Sequence, residues 1–259
     1  MSKIHVAIIG AVAGVLLLAG CSPATSDPQK TVEQTTPQQE PAEQEPAADD
    51  YVMPDECMVL ALQPGVSIDG PSVAQCAVVV LDGYGSGRQS IEGDELEGDV
   101  SFTYADDDYS YAGTVTADGD TFDITYTGRQ TWIERGDGAV RVDAGSDTMN
   151  PADATRAELW EIIANPSISA ALINTGGMWP VGEPQTITLG DGSTVNAYPV
   201  ASPAPITAGD VQAQDLTIWF TEQAVPVAIE ADVAYRGLDS NFRTTFFDLG
   251  SPVTIDPVG

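Results

Sequence analysis

The side chains able to carry out nucleophilic, acid-base or metal chemistry are few in this chain. His5 is the only histidine among 259 residues, and Lys3 and Lys30 are the only lysines. Lys3 and His5 precede Val6 to Ala19, an apolar run of 14 residues. A positive start followed by such a run is the pattern of an export signal, and a membrane span would need about 20 apolar residues. Removing residues 1–20 as a signal leaves no histidine. That excludes Ser-His-Asp and Cys-His nucleophile activation, His-ligated zinc and histidine general-base catalysis from the mature protein. Lys30 lies in a stretch of unfolded composition, which argues against a Ser-Lys hydrolase or a Schiff-base lysine. Carboxylate chemistry is what remains, and no motif marks it. The expectation is a non-enzyme with no catalytic residues, no cofactor and no metal.

The signal ends in Leu18-Ala19-Gly20-Cys21. This tetrapeptide resembles the lipobox of bacterial lipoproteins, and the resemblance implies cleavage before Cys21 and lipidation of its sulfur. Ser22 to Asp50 follows with repeated Pro, Gln, Glu and Thr and only Val32 as a larger aliphatic residue. Such a composition cannot bury enough apolar surface to offset chain entropy. Residues 21–50 therefore read as a lipidated, disordered tether, with a root-mean-square reach of about 30 Å on the flexible-chain estimate. The expected location is the outer, extracytoplasmic face of the cell membrane.

Charge narrows the partners. Nine Lys and Arg oppose 39 Asp and Glu, a net −30, and loss of Lys3 makes it −31. Binding to nucleic acid or to anionic membrane surfaces draws its affinity from Lys and Arg, so neither is expected. Cys57 and Cys76 are separated by 18 residues in a protein read as exported. Disulfides persist outside the cytoplasm, and the pair is most simply one structural bridge, with two free buried thiols as the alternative. A CxxC redox spacing is absent.

From about Val52 the composition becomes strand-rich. Ser101–Tyr104, Tyr109–Thr116 and Thr121–Thr127 carry aromatic and β-branched residues, and Phe122, Ile124 and Tyr126 alternate with polar neighbours at the period of a half-buried strand. Asp118-Gly119, Asp137-Gly138 and Asp191-Gly192 each separate two such runs, the signature of antiparallel hairpins. None supplies the ligand spacing of a calcium loop. Asn150-Pro151 and Asn165-Pro166 are helix starts. After the first, Leu159, Ile162 and Ile163 share one face; after the second, Ile168 and Leu172 follow, until Gly176-Gly177 ends the helix. Ser72–Gly83 reads as a helix with Val73, Ala74, Ala77 and Leu81 on one face, while Val78–Leu81 leave a strand as the alternative. Leu216–Tyr235 reads as a strand, a turn and a second strand, with Val227, Ile229, Ala231, Val233 and Tyr235 on one face. Asn241–Pro257 adds a third.

The meander that follows the helical insertion, with the strand from Gly192 to Val200, then LTIWF (Leu216–Phe220), PVAIE (Pro226–Glu230) and FFDLGSPVTI (Phe246–Ile255), resembles the lipoprotein-carrier superfamily of the LolA and LppX/LprG type. The resemblance covers about Ser72 to Pro257. It implies an α+β fold for residues 51–259, in which a curved antiparallel sheet forms an incomplete β-barrel whose concave face is covered by short helices. It also implies a function, binding or carrying a lipid, glycolipid or other apolar ligand between sheet and helices. The side chains expected at that site are Phe122, Ile124 and Tyr126, Leu159, Ile162, Ile163, Ile168 and Leu172, and Ile218, Ile229 and Val233. Two rival readings are a cell-surface interaction lipoprotein with a packed core and no ligand cavity, and a carboxylate-only glycoside hydrolase with two acids facing each other across a groove.

Overall fold

The computed structural model describes residues 51–258, apart from 95, 106–107, 118, 128, 137 and 143–150. The export signal, Cys21, the tether, Asp118, Asp137 and Asn150 lie outside the described residues.

The first helix, α1 (Gly70–Tyr84), starts where Asp69 accepts hydrogen bonds from the Ser72 amide at 3.0 Å and the Ser72 hydroxyl at 2.8 Å. Such a cap satisfies amides that have no partner inside the helix. The helix ends at Gly85 in the left-handed region, a conformation glycine adopts without steric penalty. Its buried face carries Val73, Ala74, Cys76, Ala77, Val80 and Leu81. Cys76 is disulfide-bonded to Cys57, at the end of a 3-10 turn over Asp55–Cys57, and both cysteines are fully buried. The bridge expected from the spacing is thus present and pins the first turn to α1. Two further helices, α2 (Pro151–Ala164) and α3 (Pro166–Ile173), are separated at Asn165, whose side chain accepts from the Ser167 amide at 3.0 Å. Pro166 has no N–H to continue the first helix, so the chain restarts there.

The strands are β1 (Ser67–Asp69), β2 (Ser86–Gly93), β3 (Leu96–Ala105), β4 (Asp108–Ala117), β5 (Asp120–Thr127), β6 (Gln130–Glu134), β7 (Ala139–Arg141), β8 (Met178–Pro180), β9 (Gln185–Thr188), β10 (Thr194–Ala201), β11 (Ile206–Ala208), β12 (Val211–Phe220), β13 (Pro226–Tyr235) and β14 (Leu238–Phe247). β1 and β8 form a small ribbon. Among the described residues the other twelve form one antiparallel sheet in the order β7-β6-β5-β4-β3-β2-β14-β13-β12-β10-β9, with β11 also beside β12. The sheet is curved and unclosed, and the class expected from the sequence, α+β with short helices on an incomplete barrel, is the one observed.

Two glycines let the strands curl. A Cβ on Gly113 would lie 2.1 Å from the Asp99 carbonyl oxygen, and one on Gly98 would lie 2.5 Å from that of Thr114. Each stands opposite a valine on the neighbouring strand, Gly98 against Val115 and Gly113 against Val100. The backbones of β3 and β4 therefore approach more closely there than side chains would permit. β2 (SGRQSIEG) has one large apolar residue, Ile91, and gives no strand signal in the sequence. It is a strand because β3 and β14 pair with it on both sides.

One expectation is corrected in β13. Alternation places Val227 with Ile229, Ala231, Val233 and Tyr235, but the β12–β13 register shifts between Trp219 and Phe220. The bulge turns Val227 to the other side, where it packs with Ile187, Ala197, Trp219 and Ala228 in a second, smaller cluster. The β9–β10 turn presses on the sheet beside β2 and β14. A Cβ on Gly190 would meet Ser90 Cβ at 2.5 Å and the Phe247 ring at 2.6 Å.

Candidate functional site

The concave face is built from alternate residues of neighbouring strands. Val100, Phe102 and Tyr104 on β3 stand beside Tyr109, Tyr111 and Val115 on β4, and these beside Phe122, Ile124 and Tyr126 on β5. Their rings form a connected series, with Tyr111 stacked on Tyr126 at 5.4 Å and Tyr109 lying 5.7 Å from Tyr104 and 5.9 Å from Tyr111. From α2, Ala157, Leu159, Trp160, Ile163 and Ala164 close on this surface, and from α3 Ala170, Leu172 and Ile173.

Of the side chains singled out in the sequence, Phe122, Ile124, Tyr126, Leu159, Ile163, Leu172, Ile218, Ile229 and Val233 are all buried in this one cluster, and Ile162 packs half-buried at its margin. Ile168 stands outside it and is half-exposed. The reason is helical phase: Pro166, Ala170 and Ile173 fall at i, i+4 and i+7 and make the inward face of α3, so position 168 points off it. Ala171 is exposed, and Ala170 is the inward alanine.

Polar contacts fasten the helices to the sheet. Gln89 donates from Nε2 to the Tyr109 hydroxyl and to the Ala164 carbonyl at the end of α2, both at 3.0 Å. Tyr104 and Ser167 share a hydroxyl–hydroxyl bond. Tyr235 donates to Glu158 at 2.8 Å, and Glu158 also accepts from Arg236, whose Nε reaches Asp210 at 3.1 Å. Tyr126 donates to Glu161. Burial pushes the Tyr109 and Tyr111 phenols well above their ordinary range. The Tyr235 phenol is pushed up to about 12 by burial and by the bond it donates to Glu158. Burial likewise raises the Glu161 carboxyl, and the neighbouring Glu158 charge adds to the effect.

Sequence reasoning missed the polar atoms beneath this cover. Gln89 Oε1, Tyr111 Oη, Thr244 Oγ1 and Trp160 Nε1 are buried without a hydrogen-bond partner among the described residues. Thr244 lies opposite both Ile91 and Ile229, and Gln89 opposite Phe246, so these polar atoms sit within apolar rows. No periodic signal could have found them, because their burial depends on which strands become neighbours.

Around the closed core lie open grooves. One of about 510 Å³ runs between α1 and α3, lined by Ala74, Val78, Val79, Tyr104 and Ala170 among others. Another, of about 290 Å³, lies between Arg129, Gln130 and Thr131, β7 and α2, with Glu158 and Glu161 on its helical wall. Those two glutamates are three residues apart on one helix and stand side by side, so they are not the facing pair that glycoside hydrolysis requires. Among the described residues no group of three or more His, Cys, Asp or Glu is arranged to hold a metal, and no helix is long and apolar enough to cross a membrane.

No family model and no curated protein matches this chain. Among solved structures, LprF from Mycobacterium bovis is similar over 73% of this chain and 97% of its own, with 14% identity and a TM-score of 0.44. A LolA superfamily protein from Nitrosomonas europaea is similar over 70% of this chain and 92% of its own, with 10% identity and a TM-score of 0.23. Neither likeness assigns a family at these values. The reading of the site rests on its own geometry.

Proposed function

We propose that the domain binds a lipid or glycolipid, a ligand that brings polar groups as well as apolar chains, between the concave face of the sheet and the α2–α3 cover. The observation that carries this reading is the set of orphaned polar atoms under the cover: Gln89 Oε1, Tyr111 Oη, Thr244 Oγ1 and Trp160 Nε1. Buried polar groups are nearly always paired, and each unpaired one costs about 1–3 kcal/mol. Tyr51, Trp179, Trp219 and Thr245 hold such atoms elsewhere among the described residues, and the four here are the ones a lipid's polar groups could reach if a two-piece helical cover lifts. The break at Asn165-Pro166 supports the same reading, because it lets α2 and α3 shift as separate pieces.

In the full chain this domain, residues 51–259, stands at the extracytoplasmic face of the membrane. Residues 1–20 direct export, Cys21 carries the lipid, and residues 21–50 are the tether. The Cys57–Cys76 bridge fits an oxidising compartment. The interaction-protein reading has one observation of its own: the concave face is filled by its own side chains, and the grooves around it are open.

Native mass spectrometry of the full-length protein, before and after solvent extraction, separates the two. A ligand in the interior gives an adduct that extraction removes, whereas the lipid on Cys21 is covalent and stays. An adduct-free mass, together with no uptake of added myristate or methyl myristate, refutes ligand binding.

A further inference from the structure

The 290 Å³ groove beside α2 brings two arginines together with two glutamates. The chain has nine basic residues against 39 acidic ones, yet Arg129 and Arg141 line this one opening. Arg129 is exposed on the β5–β6 turn and makes no ion pair among the described residues. Arg141 ends β7, paired in register with Trp132 of β6.

The two carboxylates on the opposite wall are already engaged from the sheet. Glu158 accepts from Arg236 and Tyr235, and Glu161 accepts from Tyr126. Burial also raises the Glu161 carboxyl towards its neutral form. The repulsion these acids would exert on an incoming anion is thereby reduced at both positions.

Thr131 joins the groove to the concave face. It is buried and pairs with Tyr126 of β5, which pairs with Tyr111 of β4, which pairs with Phe102 of β3. This row runs along the concave face from the groove to the middle of the apolar surface. Tyr111 Oη, on that row, is buried and without a hydrogen-bond partner among the described residues, and it lies close enough to Glu161 for their charges to interact.

We propose that this groove is the entrance to the interior site and holds the carboxylate or phosphate head of an anionic amphiphile, with Arg129 and Arg141 as its cationic partners and the chain passing along the Thr131–Tyr126–Tyr111 row beneath α2. The inference rests on the apolar-ligand reading above and specifies its head group. The net charge that keeps the protein off anionic surfaces makes a local arginine pair the means by which a single anionic head is accepted. A neutral head gains nothing from it.

The test compares myristate with methyl myristate by equilibrium dialysis against the full-length protein. The chains are the same and only one head is charged. The wild type is expected to prefer myristate by roughly 5- to 10-fold, as two partly exposed charge pairs provide, and the preference shrinks as sodium chloride is raised to about 0.5 M. The double variant Arg129→Gln, Arg141→Gln is expected to bind methyl myristate as before and to lose the preference. Arg129→Gln alone, on an exposed turn, lowers it partway and guards against misfolding of the double variant. Equal binding of both ligands by the wild type, or a preference unchanged in both variants, overturns the head-group assignment and leaves the interior site standing. Displacement of myristate by an equal concentration of acetate shows a site for small free anions and overturns the amphiphile. Binding of neither ligand overturns both readings.

Discussion

Tyr111→Phe removes one oxygen atom from the interior and nothing else. The Tyr111 side chain is fully buried, its ring stacks on Tyr126 at 5.4 Å, and its hydroxyl has no hydrogen-bond partner among the described residues. Phenylalanine keeps the ring, the stacking and the volume, so the variant reports on the hydroxyl alone. A buried unpaired hydroxyl carries a desolvation penalty of about 1–3 kcal/mol. Delipidated Tyr111→Phe should therefore be more stable than delipidated wild type by about 1 kcal/mol or more, the lower end allowing for local relaxation. For a domain of this size that is a rise of about 2–4 °C in Tm per kcal/mol. Urea unfolding of extracted protein, with an unchanged slope, gives the free-energy difference. A loss of about 0.5 kcal/mol or more on delipidated protein would show that the hydroxyl is satisfied without a ligand, and would remove the basis for reading Tyr111 as part of a ligand site.

Cys57→Ser should expose Cys76 to thiol reagents and destabilise the domain by about 2–4 kcal/mol, the range expected for opening a loop of this length; a reactive thiol count of two in unreduced wild type would show that the bridge does not form. Glu161→Gln tests the buried carboxyl through pH. Because folding raises this pKa above its ordinary 4.5, the contribution of Glu161 to stability is fully present below that value and is lost as pH rises through the raised one. The variant should therefore gain on wild type in urea midpoints as pH rises above about 4.5, and a gap independent of pH would contradict the desolvation of Glu161. Cys21→Ala should abolish acyl labelling and release the protein from the membrane fraction, and unchanged labelling would refute the anchor.

Short-range chemistry was enough to place β4 and β5, because Phe122, Ile124 and Tyr126 alternate and the runs end at turn residues. It was enough for α2 and α3, since Asn-Pro pairs cap and start helices locally. The cysteine spacing sufficed to expect the Cys57–Cys76 bridge. Where a residue's environment is made by a strand distant in sequence, the local pattern was silent or misleading. β2 has almost no apolar side chains and owes its place to β3 and β14. Val227 obeys its own alternation until the bulge opposite Trp219 and Phe220 turns it away. Ile168 sits on an apolar stretch whose inward face is set by where Pro166 restarts the helix. Gln89, Tyr111 and Thr244 are ordinary polar residues in the sequence and become orphaned only when three strands and a helix close over them. The arginine groove is assembled from the β5–β6 turn, β6, β7 and α2. Periodicity and capping act over a few residues, whereas register, bulges and burial are decided by pairing across the sheet, so the locally patterned strands and helices were legible in the sequence, while β2 and the site needed the tertiary structure.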